Sequence, residues 1–265
     1  MYLWTIDYNN IKSYLIPSYH FNINLLFTKD ELQKLETIIG NSDVVCFESL
    51  IKKSVLSEEE KKLKLKTQIK KSYTSDDMLN IVNELNRVLK TNLETKDIEK
   101  KDIMTLLPGT GIGLLTSDLK NIMDHKLQDI AKNKKKEIVY LDSGKAYKKS
   151  MDKMGDQVKN MRKYTLEHPF TLDDIFKYIS LTKQTIHDYR KLYDKKNFTK
   201  IYNNRDKELT DDRNLNWLPK IVDLLEQNKA IVIIVGANHL NLSFENNLIS
   251  LLEKKYNIDI KHKKI

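Results

Sequence analysis

The sequence predicts an α/β fold: a mixed central β-sheet flanked by helices, with inserted helical segments. Three observations predict it. Four short apolar runs rich in β-branched residues read as buried strands, namely Ser13–His20, Val44–Glu48, Ile138–Asp142 and Ile231–His239. Each run stops on an ionisable side chain: His20, Glu48, Asp142 and His239. The stretches between them are polar with apolar residues at helical spacing, and only 7 glycines and 4 prolines interrupt 265 residues, which favours helices over extended loops.

Each element follows in order. Residues 2–7 and 12–16 predict two strands around the turn Tyr8-Asn9-Asn10. Thr28 with Glu31 three residues later has the pattern of a capping box, and Leu32, Leu35, Ile38 and Ile39 continue at helical spacing. The Glu48 strand comes next. From Leu50 to about Asp102 lysine and glutamate dominate, with Met78, Ile81, Val82, Leu85, Val88 and Leu89 at helical spacing. This predicts helices outside the sheet, with the lysine run 61–66 as a solvated face. The glycine cluster Gly109, Gly111 and Gly113 lacks both the Gly-Lys-Ser/Thr of a phosphate loop and dinucleotide spacing, so a flexible connection is expected.

Asp124 to Ala131 predicts a helix leading into the Asp142 strand. Residues 144–210 form a second polar helical stretch whose inward face is Ile175, Phe176, Ile179 and Leu181. Its tyrosines (147, 164, 178, 189, 193 and 202) are expected mostly at the core rim rather than as base-stacking platforms. A helix over 214–227, the His239 strand, a helix over 245–255 and a short strand near Ile258–Ile260 complete the chain. The expectation is one α/β domain over 1–265 with helical insertions at about 51–102 and 144–210. The two strand clusters share a pattern of apolar strand, small turn and histidine, which suggests two related halves.

Composition narrows the function classes. The formal charge is +9, from 46 Lys+Arg against 37 Asp+Glu, and arginine occurs only at 87, 162, 190, 205 and 213. Base readers use arginine forks, so nucleic acid is disfavoured as a partner. The single cysteine, Cys46, lies in a buried run and excludes both an intramolecular disulfide and a Cys-based zinc motif. The first residues carry no basic start with a long apolar stretch, and no apolar run reaches the length of a membrane span. The chain as given is therefore expected in the cytoplasm, with export as part of a longer precursor left open.

The four strand ends carry the chemistry. In an open α/β sheet the carboxyl ends of the strands border the ligand crevice. His239 follows the most hydrophobic run, and Gly236-Ala237 keeps that exit narrow. Taken alone, His239 and His20 each fit a histidine closing a strand by a backbone hydrogen bond better than they fit a ligand. Pro17 lacks an amide donor, so its strand is expected to end there or to lie at an edge. Glu48 must be solvated, paired or metal-bound. Asp142 follows the same logic, or belongs to a turn with Ser143-Gly144. Together, two histidines and a carboxylate match the sets used for catalytic zinc, and also suit manganese or iron. His125, His168, His187 and His262 are expected at the surface.

These residues resemble the TraB/GumN/PrgY superfamily, which includes the Tiki metalloproteases. The family has two Gly-x-x-His motifs at strand ends, a glutamate after an apolar strand and an Arg-Asn pair on the helix before the second histidine. Gly236-Ala237-Asn238-His239 is similar to the second motif, and Arg213-Asn214 with Trp217 and Ile221 resembles the preceding helix. Val44 to Leu50 resembles the glutamate strand. Leu141-Asp142-Ser143 stands where a Leu-Glu-Thr is usual, and Pro17-Ser18-Tyr19-His20 stands in place of the first Gly-x-x-His.

The resemblance implies an EreA/ChaN-like architecture and a metal-dependent hydrolase acting on a peptide or small-molecule substrate. It assigns His20, Glu48 and His239 to a divalent metal (Zn, Mn or Co) or to water activation. Arg213 would bind a substrate carboxylate or developing oxyanion, and Asp142 would orient a ligand or act as a base. The alternative is an inactive protein of the same fold that sequesters a peptide or ligand such as haem. Nucleic-acid binding, a third reading, predicts affinity falling steeply with salt.

Overall fold

The computed structural model describes residues 2–19, 21–49, 58–108, 111–112, 122–142, 144–195 and 207–264. Strands β1 (Tyr2–Tyr8) and β2 (Ile11–Ser18) form an antiparallel hairpin, registered from Trp4–Leu15 to Tyr8–Ile11. Its two-residue turn puts Asn9 and Asn10 at φ 49° and 64°. Left-handed conformation at both positions matches the right-handed twist of the flanking strands, and asparagine tolerates it well.

A short helix α1 (Ile23–Leu26) leads to α2 (Lys29–Gly40). The expected capping box closes α2: Thr28 N donates to Glu31 Oε2 at 2.8 Å and Glu31 N to Thr28 Oγ1 at 3.3 Å. Leu35 and Ile39 are buried, with Leu32 and Ile38 packed partly against the same core. Strand β3 (Val44–Phe47) is buried throughout. Helix α7 (Met123–Asn133) later leads into β4 (Glu137–Tyr140), as expected for that segment.

Between β3 and α7 come α3 (Glu58–Lys66), α4 (Ile69–Ser72), α5 (Ser75–Leu89), α6 (Thr95–Ile98) and a 3₁₀ turn, Ile103–Leu106. The lysine-rich α3 buries no residue, in keeping with a solvated face. Helices α8 (Gly144–Glu167) and α9 (Leu172–Lys195) are the second helical stretch. Ile81, Val82, Leu85 and Val88 of α5 meet Ile175 and Ile179 of α9 in a core separate from that of the sheet. Ile186, further along α9, packs against both cores. Leu181 is exposed rather than inward, and Tyr164 is exposed and stacked on His168 rather than at a core rim. The remaining tyrosine positions with described side chains reduce to Tyr178, which packs on the second core.

Sequence reasoning missed a buried ion pair in this helical region. Arg162 Nε lies 2.6 Å from Asp102 Oδ2, and Asp102 Oδ1 accepts from Thr67 Oγ1 at 3.0 Å. One glycine of the cluster has a packing role where it is described. A Cβ on Gly111 would lie 2.6 Å from the Met104 carbonyl oxygen, so close backbone approach requires glycine there. Gly109 and Gly113 lie outside the described residues.

The chain closes with α10 (Lys207–Glu226), β5 (Ile231–Gly236), a 3₁₀ turn Ala237–Leu240, α11 (Leu248–Tyr256) and β6 (Asp259–Lys264). The sheet order is β4-β3-β5-β2-β1-β6. Strands β4, β3, β5 and β2 are mutually parallel, whereas β1 is antiparallel to both β2 and β6, so the sheet is mixed as predicted. β5 is buried because it is central and covered on both faces; α10 supplies Trp217, Leu218, Ile221 and Leu225 to the same core.

The strands at this end of the sheet refine two further expectations. β2 ends at Ser18, one residue past Pro17, and its β1 ladder has already stopped at Trp4–Leu15, so Pro17 stands at a local edge as expected; on the β5 side Pro17 registers with Val235 and Ser18 with Gly236. Pro17 is tolerated because it falls beyond the last residue pair of the β1 ladder, Trp4–Leu15. His262 is not simply at the surface; it sits half-buried in β6, with its ring 4.9 Å from that of Trp4. The last strand is longer than the apolar residues near 258–260 suggest, because a lysine-rich edge strand carries little apolar signal.

Candidate functional site

The parallel strands deliver the predicted side chains to one rim. The β3–β4 register pairs Phe47 with Tyr140, and two more bonds carry the pairing beyond the strands: Leu141 N donates to Phe47 O at 2.8 Å and Asp142 N to Glu48 O at 2.7 Å. Glu48 and Asp142 therefore stand side by side. On the other flank β3 pairs Phe47 with Ile234, which brings Gly236 next to Glu48. The Gly236 amide donates to Glu48 Oε1 at 2.5 Å. A Cβ at 236 would lie 3.0 Å from that oxygen, so the missing side chain is what admits the carboxylate. The 3₁₀ turn after β5 folds His239 back over the same rim, where it is buried.

Arg213 of α10 joins these groups. Its Nε and Nη2 donate to Asp142 Oδ1 and Oδ2 at 3.1 and 2.7 Å, and Nη2 also donates to Glu48 Oε2 at 2.6 Å. Nη1 approaches His239 Nε2 at 3.4 Å. Trp217, one helical turn on, donates from Nε1 to Asp142 Oδ1 at 2.8 Å and lays its ring 4.4 Å from that of His239. The Arg213 guanidinium lies 4.6 Å above the Trp217 ring, within cation–π range. Asn214 completes the face: its Oδ1 is 2.7 Å from His239 Nδ1. The spacing 213, 214, 217 is the sequence pattern by which Asn214 and Trp217 belong with Arg213.

Burial sets the protonation states. It pushes the His239 imidazole down to about 4; Glu48 opposes this and the Arg213 charge adds to it. His239 is therefore neutral at pH 7. For Arg213, burial alone would lower the pKa, but the charges of Glu48 and Asp142 and their hydrogen bonds outweigh it and hold it above the ordinary value. Burial pushes the Cys46 thiol up to about 12, consistent with a core role. Glu48 is the group most open to a ligand, with 24% of its side chain exposed against 2% for Asp142 and 6% for His239.

The rim thus holds Glu48, Asp142, Arg213 and His239 in one hydrogen-bonded cluster. A family model for the TraB/PrgY/gumN family matches residues 2–259. The chain belongs to the TraB/PrgY/gumN family. No curated protein and no solved structure matches it. The match spans both helical stretches. In this TraB/PrgY/gumN chain His20 lies outside the described residues; the strand before it ends at Ser18, in register with Gly236. Among the described residues no three of His, Cys, Asp and Glu are grouped to hold a metal ion. Two donors do face each other, His239 Nε2 and Glu48 Oε1, at 3.7 Å. That is close to the roughly 3.3–3.6 Å between two ligands of a tetrahedral zinc with bonds of about 2.0–2.2 Å. No helix among the described residues is long and apolar enough to cross a membrane.

Proposed function

We propose that this TraB/PrgY/gumN chain is a metal-dependent hydrolase acting on peptide bonds, with His239 and Glu48 as metal ligands and His20 as the third. The observation that carries the reading is the facing pair Nε2 and Oε1, a neutral imidazole nitrogen and a carboxylate oxygen at 3.7 Å. Both are donor types that zinc, manganese and cobalt accept. A divalent ion there would supply Lewis-acid polarisation of the scissile carbonyl and acidify water.

The chain's own groups divide the remaining work. Glu48 is the accessible carboxylate, and its second oxygen is held by Arg213, so Oε1 keeps its aim. Arg213 is the fixed positive charge beside the reacting position and stabilises a developing oxyanion. Asp142 is fully engaged by Arg213 and Trp217, which suits an orienting role better than that of a base. Trp217 and the buried 3₁₀ turn exclude water from one side of His239.

A second reading is an inactive protein of the same fold that sequesters a peptide or ligand. One observation favours it: the Arg213 guanidinium already bonds both carboxylates and approaches Nε2. Metal analysis of protein purified without chelators, followed by peptide-cleavage assays on wild type, His20→Ala and His239→Ala, separates the two. The hydrolase reading predicts bound metal and cleavage that both variants abolish. Full cleavage by both variants, or a metal-free inactive wild type, contradicts it.

A further inference from the structure

Asn214 is buried at 0% exposure and makes three contacts at this site. Its Nδ2 donates to the His239 carbonyl at 3.3 Å and to the Asn246 carbonyl at 2.8 Å. Carbonyl oxygens only accept, so these two bonds fix which end of the amide is nitrogen. Oδ1 must then be the atom 2.7 Å from His239 Nδ1, and an oxygen there only accepts. In a neutral ring the proton therefore sits on Nδ1 and Nε2 carries a bare lone pair. A second contact agrees: Arg213 Nη1, a donor only, approaches Nε2 at 3.4 Å.

Asn214 hangs from two backbone carbonyls, one belonging to His239 itself and one to the segment before α11. That anchoring ties the imidazole to its own main chain and to α10 together. Trp217 limits the ring on one side at 4.4 Å. Without Asn214 the opposite tautomer has an acceptor waiting, since Glu48 Oε1 is 3.7 Å from Nε2 and could take a proton bond from it after a small shift.

We propose that Asn214 is a positioning residue that fixes the tautomer of His239, keeping Nε2 unprotonated and aimed at Glu48. A ligand-orienting partner of this kind typically changes metal affinity by roughly 10–100-fold when removed. That consequence rests on the hydrolase reading; the tautomer itself does not.

The test is nitrogen-15 NMR of the histidine rings in metal-free protein near pH 7, with His239 assigned through His239→Gln. Wild type is expected to show a protonated Nδ1 and an unprotonated Nε2. Asn214→Leu, similar in shape with no acceptor, is expected to populate the Nε2-protonated form. Asn214→Asp, which keeps an acceptor toward Nδ1 but loses the two Nδ2 bonds, is expected to keep Nδ1 protonated. A wild-type ring protonated on Nε2, or a Leu variant with an unchanged tautomer, overturns the proposal. Should the Leu variant fail to fold, the wild-type spectrum and the Asp variant still decide. Cobalt titration of the same samples separates the two claims: a correct tautomer without cobalt binding defeats the hydrolase reading and leaves Asn214's role standing.

Discussion

Arg213 grips Asp142 with two nitrogens, Nε at 3.1 Å and Nη2 at 2.7 Å, and the same Nη2 reaches Glu48 at 2.6 Å. One guanidinium thus bridges two carboxylates at adjacent strand ends. Lysine cannot reproduce this planar fork. Arg213→Met is expected to destabilise the fold by about 3–5 kcal/mol, because it leaves buried charge uncompensated. Arg213→Lys is expected to recover only part of that. Urea denaturation of the three proteins checks it, and a Met variant as stable as wild type would contradict the arrangement.

Gly236 makes room for Glu48. Gly236→Ala places a Cβ 3.0 Å from Glu48 Oε1 and is expected to cost about 1–3 kcal/mol by overpacking. Combined with Glu48→Ala the clash disappears, so the two substitutions together are expected to cost less than the sum of each alone. A double-mutant cycle with zero coupling would show that the two residues do not meet.

His239 has its folded pKa pushed from 6.5 to about 4. Below pH 6.5 the unfolded chain takes up a proton that the folded chain refuses, so stability falls as pH drops from about 6.5 to about 4. Above pH 6.5 this contribution is fully present. Its size is on the order of 3 kcal/mol. Denaturation midpoints at pH 4.5 and 7.5 are expected to differ more for wild type than for His239→Gln. Equal pH dependence in the two would remove His239 as the cause.

The Arg162–Asp102 pair predicts a different signature. Asp102→Ala strands a buried arginine and is expected to cost about 3–5 kcal/mol. Asp102→Leu with Arg162→Met is expected to recover most of that loss, since apolar replacement of a whole buried pair is often neutral. Thermal unfolding of the single and double variants measures it.

The sheet was legible because buried strands write continuous apolar runs. Val44–Phe47 and Ile231–Val235 announce themselves, and the strand-end logic located Glu48, Asp142 and His239 on one rim. The Thr28–Glu31 box was legible for the same reason: its chemistry is local. Strand order was not, because the insertion of β5 between β2 and β3 is a long-range pairing with no local trace. Pro17 marked its place correctly, since its missing donor is harmless where the β1 ladder has already run out. The Asp102–Arg162 pair joins residues 60 positions apart, and nothing near either one marks it. Trp217 was visible as a helical neighbour of Arg213, but its indole bond to Asp142 needs the geometry.

The central claim is that His239 and Glu48 hold one divalent ion between them. Titrating cobalt into wild type, His239→Gln and Glu48→Gln, followed by the visible absorption of the bound ion, tests it most directly. The account predicts one cobalt per wild-type chain, with affinity at least roughly 10-fold weaker in each variant. Equal affinity and identical spectra in all three would place the metal elsewhere and contradict it.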